Sequence, residues 1–128
     1  EDDIIVVGYS IGAGIASYLA SINTPKLLIL QAPYYNLKTD MKARFPFLPT
    51  FILKYPFENN IHLSKVKKPI FIFHGDKDYV IDHENSLKLE SVLKETDSVI
   101  ILKNLGHIGV NDNVEYLENI RKILNDTI

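Results

Sequence analysis

Apolar residues along this chain gather in short runs, with helical periodicity between them. "IIVV" (4–7) and "KLLIL" (26–30) read as strands of the continuous, buried kind. "IFIFHG" (70–75) and "SVIIL" (98–102) complete a set of four. Between the first two, Ile11, Ile15, Leu19 and Ile22 form one stripe. Ala13, Ala16 and Ala20 keep that segment slim, which predicts a close-packing helix over 11–22. Asp82 can cap a helix of about a dozen residues with Leu89, Val92 and Leu93 inward. The last helix is predicted to begin near Asp112, where Asp112 and Glu115 suit a capping box. Val114, Leu117, Ile120 and Leu124 are expected to face inward.

The order is β-α-β-(insertion)-β-α-β-α. It predicts an α/β fold, a mostly parallel sheet with flanking helices in three layers. Residues 1–128 form a single domain. The segment at about 36–63 interrupts the alternation and is rich in prolines and aromatics, among them Phe45, Phe47, Phe51, Tyr55 and Phe57. Two readings stand side by side: one or two extra helices packed on the domain, or a cap whose aromatics line an apolar pocket.

Composition narrows the function classes. Hydrophobic residues make up 46% and charged ones 23%, too apolar for disorder. Net charge is −2 with no basic block, so nothing points to nucleic acid. Cysteine is absent, which excludes disulfides, thiolate catalysis and Cys-based zinc sites. It also fits a reducing compartment, so a cytoplasmic setting is expected. No apolar run approaches the length needed to span a membrane.

The chemistry gathers at strand ends. Gly8-Tyr9-Ser10-Ile11-Gly12 fits the G-x-S-x-G nucleophile elbow, in its required setting of strand, tight turn and helix. Such a turn strains the serine backbone and lifts the hydroxyl clear of the sheet. Flanking glycines avoid collisions with the neighbouring strand and helix. The Ile11 N–H, at a helix start, then faces a developing oxyanion.

A serine hydroxyl needs a base, and the chain offers His62, His74, His83 and His107. His107, in "KNLGHIGV", follows the last strand. Parallel strands all end on one face, so it can reach Ser10. Gly106 and Gly109 let its loop bend. His74 is expected to shape its own turn, while His62 and His83 are read as structural or exposed. For the acid, "FHGDKDYVID" supplies Asp76, Asp78 and Asp82. Asp82 serves as helix cap and Asp76 suits the turn, so Asp78 is chosen, with Asp76 as the second candidate.

The pieces "GYSIGAG", "PIFIFHGDKDYVI" and "NLGHIG" together resemble the C-terminal half of the α/β-hydrolase superfamily. Within it they are similar to serine-aminopeptidase-like and monoacylglycerol-lipase-like esterases. The resemblance covers nearly all of the chain except the insertion. It implies a partial α/β-hydrolase fold lacking its N-terminal strands, with Ser10 as nucleophile, His107 as base and Asp78 as acid. The implied reaction is hydrolysis of a carboxylic ester, peptide or thioester through an acyl-enzyme, on a small-molecule ester or acyl substrate, without metal or cofactor. Tyr9, Phe45 and Phe51 are expected to contact that substrate. The second oxyanion donor and the strand beside "IIVV" are expected from the missing N-terminal half, so these 128 residues alone are not expected to be an independent enzyme. The competing class is a non-catalytic α/β-hydrolase-fold protein used for binding or regulation. A Rossmann-like nucleotide binder is disfavoured. The glycines run G-x-x-x-G-x-G, and Gln31 rather than an acid ends the second strand.

Overall fold

A computed structural model describes residues 3–44, 46, 47, 49 and 58–127. The elements in chain order are β1 (Ile5–Tyr9), α1 (Gly12–Ile22), β2 (Leu27–Gln31), α2 (Leu37–Arg44) and α3 (Asn59–Leu63). They continue with β3 (Ile70–Gly75), α4 (Glu84–Leu89), β4 (Ser98–Leu102) and α5 (Val114–Thr127). One-turn 3₁₀ helices extend α4 over Glu90–Val92 and precede α5 at Val110–Asp112. The sheet has four parallel strands in the order β1-β2-β3-β4.

Period-2 alternation splits the strands between two cores. Leu28 and Leu30 of β2 and Ile70 and Ile72 of β3 face α1, together with Ala13, Ala16, Ala20, Leu63 and Leu89. Leu27 and Ile29 of β2 and Phe73 of β3 face α5, with Leu102, Val110, Tyr116 and Ile123. Helices therefore cover both faces, and the three-layer α/β expectation holds. All five residues of β2 are buried, as a central parallel strand requires. β1 is instead an edge, and Val7 on it is exposed.

Packing selects the buried face of α1, and in α5 that face differs from the sequence expectation. In α1 the small residues Ala13, Ala16 and Ala20 are buried. Ile11, Ile15, Leu19 and Ile22 point outward and are each exposed by 43–61%. Close helix–sheet packing favours the alanine face, leaving the bulky stripe free. In α5 the inward residues are Tyr116, Ile120 and Ile123, while Val114 is 70% exposed and Leu117 also exposed. The helix start also differs from expectation. Asn113, not Asp112, caps α5: its Oδ1 accepts the Tyr116 N–H at 2.9 Å, and Asp112 lies in the preceding 3₁₀ turn. Asp82 does serve α4, accepting the Glu84 N–H at 2.8 Å.

Of the insertion, α2 and α3 are described. The edge-to-face rings of Tyr18 and His62, 5.5 Å apart, mark where α3 meets α1. Phe45 and Phe51, the expected pocket aromatics, lie outside the described residues.

Candidate active site

The strand–helix turn after β1 puts Ser10 in the left-handed region at φ 55°, a strained conformation for a residue with a Cβ. Two backbone bonds hold it there. The Ser10 N–H donates to the Gln31 carbonyl at the end of β2 (2.8 Å), and the Ser10 carbonyl accepts the Ala13 N–H (3.1 Å). Gly8 lets α1 approach β1, because a Cβ there would sit 2.5 Å from Ala16 Cβ and 2.8 Å from Ala13 Cα. Gly12 differs from expectation: a Cβ at that position would meet nothing within 4 Å. Among the described residues, space requires the glycine before the serine and not the one after it. Ile11 stands at the N-cap position of α1 in helical conformation.

His107 lies on the loop from β4 to the 3₁₀ turn. That loop is turned by Gly109, whose φ of 96° favours glycine. The imidazole spans two partners. Its Nε2 lies 3.0 Å from Ser10 Oγ and its Nδ1 2.7 Å from Asp78 Oδ2. A carboxylate can only accept, so Nδ1 carries the proton in the neutral ring and Nε2 accepts from the serine hydroxyl. Tyr9 fixes the loop from outside. Its hydroxyl donates to the His107 carbonyl at 2.6 Å, and its ring packs 5.2 Å from the imidazole. Burial, and secondarily the Asp78 charge, raise the Tyr9 phenol above its ordinary value and keep it a donor.

The Asp78 side chain is fully buried. Its Oδ1 accepts the Val80 N–H at 2.9 Å and the Ile81 N–H at 2.8 Å. Its Oδ2 accepts from His107 and from His74, 3.2 Å away. Asp78 rather than Asp76 thus meets His107. Asp76 instead continues the pairing of β3 with β4, its N–H donating to the Leu102 carbonyl at 3.0 Å. His74 does shape its turn, through Nε2 to the Ile81 carbonyl at 2.8 Å. Its second contact, to Asp78, lies beyond the sequence expectation. The available signal was the four-residue step from His74 to Asp78 across a tight turn. His62 lies on α3 against Tyr18, and burial lowers its pKa. His83 sits 3.6 Å from Asp82.

A cavity of about 320 Å³ adjoins this cluster, lined by Tyr9, Gln31, Ile108, Val110 and Asn111 among others. Gln31 Nε2 donates to Asn111 Oδ1 at 2.8 Å and to the Tyr116 hydroxyl at 2.7 Å, which ties the cavity wall to α5. Among the described residues no group of three or more ligand-type side chains converges as a metal site.

The model of the dienelactone hydrolase family matches residues 1–115. The chain belongs to that family. It is 27% identical over 127 residues to the human alpha/beta hydrolase domain-containing protein 17B, covering 99% of this chain and 43% of that protein. Against protein 17C of Xenopus tropicalis the identity is 27%, covering 96% and 39%. The chain therefore spans about two-fifths of the length of these curated relatives. Among solved structures, an α/β-hydrolase enzyme from the metagenome of lagoon sediments at Mar Chica, Morocco, superposes with TM-score 0.73 at 16% identity. It covers 98% of this chain and 62% of that one. Zea mays acyl-protein thioesterase 2 gives TM-score 0.63 at 19% identity, covering 98% and 56%. These likenesses establish the fold, a partial α/β-hydrolase fold.

Proposed function

We propose that this chain carries the nucleophile, base and acid of a serine hydrolase that cleaves a carboxylic ester, thioester or peptide through an acyl-enzyme. The single observation behind this reading is the hydrogen-bonded line from Ser10 Oγ through His107 to Asp78, with spans of 3.0 and 2.7 Å. Ser10 Oγ attacks the substrate carbonyl carbon as its proton passes to His107 Nε2, and the carbonyl electrons move onto oxygen. The Ile11 N–H, at the positive end of α1, stabilises that oxyanion. Collapse breaks the bond to the leaving group, which takes the proton from His107. Water then repeats the sequence on the acyl-Ser10 ester and frees the acid. Asp78 holds the His107 tautomer and balances its transient charge.

The second oxyanion donor and the rest of the pocket belong, in this reading, to the part of the hydrolase fold outside these 128 residues. The outward Ile4 and Leu19, with Val6 beside them, offer it an apolar seat.

A fluorophosphonate probe tests the assignment in the full-length protein. Wild type should be labelled on Ser10, and Ser10→Ala should lose both labelling and turnover of p-nitrophenyl and S-acyl substrates, by about 10⁴-fold or more in kcat. Undiminished labelling of Ser10→Ala at another residue would sink the reading. Labelling without turnover of any substrate would favour a binding protein.

A further inference from the structure

Asp78 is held from a second side by a group that the proposed reaction does not use. His74 is fully buried on β3, and its Nε2 faces two acceptors, the Ile81 carbonyl at 2.8 Å and Asp78 Oδ2 at 3.2 Å. Nε2 therefore carries a proton and donates. The other nitrogen, Nδ1, lies 2.6 Å from the hydroxyl of Ser86, which is also fully buried, on α4. Burial lowers the His74 pKa against the opposing pull of Ile81 and Asp78. The ring is thus neutral, Nδ1 accepts, and the Ser86 hydroxyl donates to it.

The two oxygens of Asp78 are then held differently. Oδ1 is fixed by two backbone N–H groups of its own turn. Oδ2, the oxygen that meets His107, has one other donor among the described residues, and that is His74. His107 sits on a loop, whereas His74 sits in an interior strand with its ring pinned at both nitrogens.

We propose that His74, with Ser86 behind it, is a positioning residue for the hydrolysis, fixing Asp78 Oδ2 in line with the His107 Nδ1–H. This rests on the hydrolase reading above. It adds a neutral donor to the acid, leaving His107 as the group whose charge the carboxylate balances.

The test uses the full-length protein and five variants, with p-nitrophenyl butyrate as substrate and the far-downfield proton signal of His107 Nδ1–H, assigned by its loss in Asp78→Asn. His74→Leu should lower kcat about 10- to 100-fold, the order seen for partners one layer behind a metal's ligands. KM should stay within about two-fold. The acidic limb of the kcat/KM profile should move to lower pH, and the downfield signal should shift upfield or vanish. His74→Gln restores an N–H near the Nε2 place and should recover most of the rate and the signal. Ser86→Ala should lose several-fold in kcat, and Ser86→Thr should regain it. A folded His74→Leu with unchanged kcat, profile and signal would overturn the proposal, as would His74→Gln behaving like His74→Leu. If His74→Leu does not fold, an unchanged profile and signal in Ser86→Ala overturns it instead. The proton signal does not depend on turnover, so failure of the hydrolase reading, seen as activity surviving Ser10→Ala, is read separately.

Discussion

Tyr9 stands beside Ser10, yet its hydroxyl is taken up by the His107 carbonyl. The residue is expected to act on the histidine loop first, and it also lines the adjoining cavity. Removing that one hydrogen bond in Tyr9→Phe should cost about 1 kcal/mol of loop order. In steady-state assays this should appear as a several-fold fall in kcat with KM little changed. A pure substrate-contact role would give the opposite split, a raised KM at constant kcat. At this scale the sequence was highly legible. Spacing and strand ends point to Ser10, Asp78 and His107, and these three lie in one hydrogen-bonded line. His74 was half legible, because a histidine before a glycine signals a turn but says nothing of which side chain its second acceptor belongs to.

Among the elements, α5 shows how a helix start is decided by geometry beyond sequence type. Asp112 and Asn113 are both good capping residues, and the pair Asp112–Glu115 fits a capping box. The 3₁₀ turn Val110–Asp112, buried through Val110, consumes Asp112 and passes the cap to Asn113. Asn113→Ala is therefore expected to lower stability by about 1 kcal/mol, while Asp112→Ala should change it by less than about half that. Urea unfolding of the two variants side by side checks the order. Packing on the sheet turns Tyr116, Ile120 and Ile123 inward in place of Val114 and Leu117. In α1, periodicity located the helix and its two faces correctly, but packing distance chose between them. Gly8 admits the helix close to β1, and only small residues (Ala13, Gly14, Ala16, Ser17 and Ala20) are buried along α1.

For the whole molecule, the buried neutral His74 links stability to pH. Its folded pKa lies below the ordinary 6.5, because burial outweighs the Ile81 and Asp78 hydrogen bonds that favour the cation, and nearby His83 adds to the lowering. The unfolded chain therefore binds a proton at higher pH than the folded one. Stability from this group is complete above about pH 6.5 and is lost as pH falls from there toward the folded value. Thermal unfolding from pH 7.5 down to 5.5 should show a falling Tm, and a folded His74→Gln should show a shallower fall over that range. An equal fall in both proteins would assign the slope to other groups. The sequence by itself determined the order of elements, the parallel sheet and the strand-end chemistry, because these follow from local periodicity and from the rule that parallel strands end on one face. Tertiary structure decided which face of α1 and α5 is buried, which asparagine or aspartate caps, and that His74 stands behind Asp78. Each of those depends on how closely two elements approach, a distance that no run of neighbouring residues encodes.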